Sequence, residues 1–317
     1  MHFDGPWSSY ASLTRIIGSV VDVWPQHQSK LARDFSLYGD RDRAMLDSIA
    51  ADILSALGGD VREAAGDYRW TCSRMLDAEM RFRRDGSSAN ASVDDLLSGI
   101  YGSKDDTKRY MNGLLLSQIL WPQHAGPLLY FRSEYLASVL PGAVHLEIGP
   151  GHGLWMAGIL QRDSSAQLVG WDITRECLSF TESTFQRLCP DLKPRLEIRD
   201  ICDNTWHRPS TESEGLFDSV IASQLFEVVS EPKVAALNIH RSLAPSGRTF
   251  ICSPINVAAP DHLRRWMHED DLLAVLRSAG LHPTKLLRFG NQPGAQKIGA
   301  GYSLVVEAAR SNVGETR

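Results

Sequence analysis

The chain has 317 residues, 33 Lys and Arg against 38 Asp and Glu, and a net charge of -5, a balance that argues against a polyanionic nucleic-acid partner. No stretch approaches the roughly 20 apolar residues of a membrane span, and the first residues lack the basic-then-apolar order of a secretion signal, so a cytoplasmic location is expected. The five cysteines, Cys72, Cys177, Cys189, Cys202 and Cys252, show no C-x-x-C pairing, which points to reduced thiols rather than a disulfide framework, and no histidine register suggests a metal.

The N-terminal part reads as almost entirely helical, with helices predicted over 10–34, 42–57, 62–84, 93–100, 106–121 and 124–139. Gly58-Gly59 closes the second and Gly86 the third, whose basic run Arg81-Phe-Arg-Arg84 complements the negative end of the helix dipole. In the segment 110–124, the polar residues Asn112, Gln118, Gln123 and His124 are candidates to face a cleft, while Met111, Leu115, Ile119 and Trp121 suit a core.

Residues 144–153, Val-His-Leu-Glu-Ile-Gly-Pro-Gly-His-Gly, change the pattern: a short apolar strand enters a glycine turn, and residues 154–160 open a helix. A dinucleotide fingerprint would place its third glycine at position 154, where Leu154 stands, and Glu147 would repel a phosphate. An acid before G-x-G-x-G favours a cationic ligand. Farther on, Leu168-Val-Gly-Trp-Asp172 reads as a second strand ending in a carboxylate that can accept both hydroxyls of a ribose. Residues 196–200 form a candidate third strand with Asp200 at its end, 217–224 a fourth with its exit loop, and 245–254 a turn entering a fifth. The exposed-turn reading is expected for His152, and a last strand is predicted over 302–308.

This series resembles the class I S-adenosylmethionine-dependent methyltransferases, over roughly residues 140–310. The resemblance implies an α/β, Rossmann-like sheet with helices on both faces, preceded by an all-α domain over 1–139 that acts as a lid, with 311–317 a disordered tail. By position, Glu147 would orient the methionine end of S-adenosylmethionine, Gly149, Gly151 and Gly153 would pack beneath it, and Asp172 would take the ribose. Asp200 and Ile201 would frame the adenine, and Ile173 and Ser223 complete the set. S-adenosylhomocysteine would be the product.

Many small-molecule O-methyltransferases with a helical domain place a histidine base just after the fourth strand. Here that stretch, Gln224-Leu-Phe-Glu-Val-Val-Ser-Glu-Pro232, is more similar to the Leu-Glu-His segment of other small-molecule methyltransferases, with Phe226 and Glu227 in its first two places and Val228 replacing the histidine. The base is therefore sought first at His262, oriented by Asp261, then at Glu227, then at His124; a helix over 263–267 capped by Asp261 is the structural alternative for the first. Trp121, Trp155, Trp171, Phe226 and Trp266 could line a cleft for a planar or apolar molecule. The resulting expectation is methylation of a small molecule, in specialised metabolism, by direct transfer in a desolvated cleft, with a homodimer through the helical domain allowed. Cyclisation assisted by the same cofactor, a non-catalytic partner and a nicotinamide-dependent dehydrogenase are the alternatives.

Overall fold

The structure is a computed structural model that describes residues 5–203, 216–290 and 301–310. The N-terminal region consists of α1 (Ala11–Val23), α2 (Gln28–Phe35), α3 (Asp40–Leu57), α4 (Val61–Asp85), α5 (Val93–Ser98), α6 (Lys104–Leu120) and α7 (Pro122–Tyr130). The single helix expected over 10–34 is broken after Val23, because Trp24 leaves helical geometry and Pro25, which lacks an N–H, starts a short 3-10 turn. Elsewhere the capping chemistry agrees with the expected ends. Asp60 accepts from the Arg62 N–H, Ser92 and Asp95 form a reciprocal capping box, and Gly86 closes α4 in the left-handed region at φ 68° with Arg83 and Arg84 in the last turn.

The second half alternates strands and helices: β1 (Val144–Ile148), α8 (Leu154–Arg162), β2 (Gln167–Asp172), α9 (Arg175–Leu188), β3 (Arg195–Ile198), β4 (Phe217–Ser223), α10 (Pro232–Ser242), β5 (Leu243–Ile255), α11 (Glu269–Ser278), β6 (Leu281–Gly290) and β7 (Tyr302–Arg310). These strands form one sheet in the order β3-β2-β1-β4-β5-β7-β6. The first five pair in parallel and β7 runs antiparallel between β5 and β6. The order reverses between β1 and its two neighbours β2 and β4, and such a switch point leaves a crevice at the strand carboxyl ends.

Two cores lie on the two faces of the sheet. On one, α10 and α11 bury Ala235, Ile239, Leu272 and Leu276 against Leu146, Val220 and Val306. On the other, a continuous cluster runs from Leu13, Ile49 and Tyr68 in the helical region through Phe131 to Trp155, Phe185 and Phe250. The N-terminal helices are therefore packed onto the sheet's own core, and burial of aromatics such as Phe131 and Phe250, each fully buried, is the dominant stabilising contribution. No helix among the described residues is long and apolar enough to cross a membrane. The tail 311–317 and most of the glycine-rich stretch 289–301 lie outside the described residues; Phe289 and Gly290 end β6 and Gly301 precedes β7.

Candidate active site

β1 delivers Glu147 to the switch point, and the three glycines that follow all adopt positive φ, at 68°, 50° and 72° for Gly149, Gly151 and Gly153. The turn is braced from α9, where Thr181 Oγ1 donates to the Gly151 carbonyl and Thr184 Oγ1 to that of His152, each at 2.8 Å. His152 is consequently buried rather than exposed as expected, and its Nδ1 accepts from the Leu154 N–H at 3.2 Å. Burial lowers its pKa to about 4. Local sequence shows a turn; the α9 threonines that cover it come from a distant segment.

A cavity of about 1040 Å³ opens over these carboxyl ends and continues between the N-terminal helices as far as Trp24, His27 and Lys30. Every expected cofactor residue, Glu147, Gly149, Gly151, Asp172, Ile173, Asp200, Ile201 and Ser223, lines it except Gly153, which caps α8 behind the turn. Glu147 is 2% exposed and its Oε2 has no partner, so burial raises its pKa well above the carboxylate range. Asp172 ends β2, where its Oδ1 accepts from the N–H and the hydroxyl of Thr174 at 2.8 and 2.9 Å. Burial still pushes its pKa up to about 6. Asp200 is held by the Cys202 N–H at 2.7 Å.

The three candidate bases face the same cavity. Glu227, 1% exposed, has Oε2 fixed by the Ser253 hydroxyl at 2.9 Å and Oε1 without a partner; burial raises its pKa to about 8. His262 is 5% exposed, with Nδ1 unpartnered and Nε2 4.0 Å from Asp261 Oδ1; burial lowers its pKa. The alternative helix over 263–267 does not form, because α11 starts only after His268 and the Leu263 and Arg264 N–H groups bond the Glu227 carbonyl. His124 Nδ1 lies 2.8 Å from Ser117 Oγ, and burial lowers its pKa to about 3.

Of the other cleft candidates, Gln118, Gln123, Trp121, Trp155 and Trp171 line the cavity. Asn112 does not: it donates to Asp67 at 2.9 Å inside the helical region. Phe226 is fully buried on the far face of the sheet, and Trp266 bridges to Ile255, so neither lines the cleft. The sequence reading missed Tyr101 and Tyr110, which flank Asp261. Tyr101 Oη donates to Asp261 Oδ2 at 3.2 Å, and burial together with this nearby carboxylate holds the Tyr110 hydroxyl well above its usual pKa. No local pattern marks these tyrosines.

Residues 146–249 match the family described as methyltransferase domain. In fold, the chain is similar to the pyocyanin biosynthetic protein PhzM, with TM-score 0.53 at 14% identity over 79% of this chain and 72% of that one. It is also similar to human N-acetylserotonin methyltransferase, solved in complex with S-adenosylmethionine, with TM-score 0.52 at 13% identity over 79% of this chain and 70% of that one. No curated protein matches it in sequence. Residues 146–249 thus resemble a methyltransferase domain, and the chain has the fold of the class I S-adenosylmethionine-dependent methyltransferases, with an N-terminal helical region.

Proposed function

We propose that the protein binds S-adenosylmethionine at the β1–β2 end of the cavity and methylates a small molecule held between the sheet and the N-terminal helices. The observation that carries this reading is one continuous cavity joining Glu147, the glycine turn and Asp172 to the buried acceptor-side groups Glu227, Asp261 and His262. Its volume, about 1040 Å³, reaches the upper range for single-ligand pockets and suits a cofactor with a second molecule.

The residues present fit the cofactor. Glu147 has a buried oxygen without a partner, suited to a cationic group, and Asp172 presents a carboxylate for hydroxyl donors. Gly149 and Gly151 leave bare backbone facing the cavity, where a side chain would intrude. When bound, S-adenosylmethionine supplies a methyl group on a sulfonium, an electrophile that needs an aligned acceptor.

The chain's own groups would hold that acceptor and take its proton. Glu227 is the stronger candidate base, because burial raises its affinity for a proton while burial weakens His262 as a base. Glu227 Oε1 is the atom that would receive the proton, with Oε2 kept in place by Ser253. The helices, with Met111, Leu114 and Trp121 on the cavity wall, would exclude water from the acceptor.

The test is incubation with S-adenosylmethionine and a library of small acceptors, read by mass. A product heavier by one methylene, formed with S-adenosylhomocysteine, supports methyl transfer. Conversion without mass gain would replace it by a non-methylating reaction such as cyclisation.

A further inference from the structure

The acceptor end of the cavity is electrically lopsided. Glu227 and Asp261 both face it, each buried or nearly so, and they act on one another through space. Among the described residues neither pairs with a lysine or arginine; the one ion-pair partner of Asp261 is His262, at 4.0 Å. Arg264 acts on Glu227 through space without an ion pair to it, and its Nη2 donates to the Val229 and Ser230 carbonyls. Lys30 and Arg33, at the α2 end of the cavity, are both engaged by Asp34, at 2.6 and 3.3 Å.

Two further observations point to a ligand here rather than to a structural acid pair. Glu227 Oε1 and His262 Nδ1 are buried, belong to residues that line the cavity and have no partner, so two polar atoms have hydrogen-bonding capacity that a ligand can satisfy. Around Asp261, the rings of Tyr101 and Tyr110 meet edge-on at 6.0 Å, and aromatic walls beside a carboxylate attract a cation through the ring quadrupoles as well.

We infer that the substrate carries a basic nitrogen, and that Asp261, framed by Tyr101 and Tyr110, docks it as an ammonium group within reach of Glu227 and His262. This rests on the methyltransferase reading and narrows its substrate class to apolar or aromatic amines. The Tyr101 hydroxyl donated to Oδ2 keeps the Asp261 carboxylate aimed, leaving Oδ1, the oxygen nearer His262, for the ligand. An anionic substrate would be repelled by the Asp261 carboxylate, which has no lysine or arginine ion-pair partner among the described residues, and a neutral one would leave that carboxylate unbalanced.

The test uses full-length protein saturated with S-adenosylhomocysteine, whose own binding is measured first by calorimetry. Matched amine, alcohol and carboxylate ligands are then titrated on three ring systems: phenethylamine, phenethyl alcohol and phenylacetate, with the corresponding indole and naphthalene sets. The expected result is that the amine binds at least about tenfold more tightly than its alcohol and carboxylate partners in every set that binds. Asp261→Asn should erase that preference while leaving S-adenosylhomocysteine affinity and the far-UV spectrum unchanged. Equal or tighter binding of the alcohol or carboxylate, or binding by no amine, overturns the inference with the cofactor reading intact. Failure of the first titration overturns the cofactor reading itself.

Discussion

Arg265, on the loop after β5, and Glu79, in α4, form an ion pair at 3.1 Å with side chains 8% and 7% exposed. The same guanidinium donates to the Asn256 carbonyl and side chain at 2.7 to 3.1 Å, which fixes Asn256 in its left-handed conformation at φ 58°. Asn90 adds a second clasp by donating to the carbonyls of Pro260 and His262. Together these contacts tie the loop carrying Asp261 and His262 to the helical region. A site assembled in this way depends on both halves of the chain.

Removing one partner of this pair should therefore cost more than a surface salt bridge would. Arg265→Met is expected to destabilise the protein by about 3 kcal/mol, because Asn256 and Glu79 both lose a buried partner. Denaturant midpoints measure this, and turnover should fall further than stability alone explains, as the loop loses its register. An unchanged midpoint would mean that the clasp contributes nothing.

Glu227 gives a pH signature. Its folded-state pKa of about 8 lies above the ordinary 4.5, so the native state holds an extra proton between those values. Stability from this group is thus lost as pH rises from about 4.5 to about 8 and is level above that. Glu227→Gln should flatten the decline, and kcat/KM, which needs the deprotonated form, should lose its rise through pH of about 8. A variant with the wild-type profile would remove Glu227 from the role of base.

Gly153 caps α8 at φ 72°, and a Cβ there would sit 3.1 Å from Thr181 Cγ2 and 3.2 Å from Thr181 Cα. Gly153→Ala is expected to cost about 1–2 kcal/mol from the left-handed backbone alone, with more from displacing α9. Cofactor affinity should fall with it, since Thr181 also holds the Gly151 carbonyl. Thermal unfolding and titration of S-adenosylhomocysteine check the two effects separately.

The sequence made the β1 turn and its neighbours legible because their chemistry is local: a strand, three glycines that must turn, and a carboxylate at the end of β2. Strand β6 was not read, since Leu281–Gly290 is an edge strand whose Lys285 and Arg288 break the apolar signal and whose Pro283 weakens it. His152 was misjudged because its cover comes from α9. Tyr101 and Tyr110 were missed for the same kind of reason: they reach Asp261 only through packing of α6 and the loop before it against the far half of the chain. Local motifs therefore made the β1–β2 end of the cavity legible, whereas the end around Asp261 is assembled by tertiary packing.

Calorimetric titration of S-adenosylmethionine into the wild type and Asp172→Ala tests the central claim. The account predicts micromolar binding by the wild type and a loss of at least about tenfold in the variant, as hydrogen bonds to a charged acceptor contribute about 1.5 kcal/mol or more each. No binding to the wild type, or equal affinity in both proteins, would contradict it.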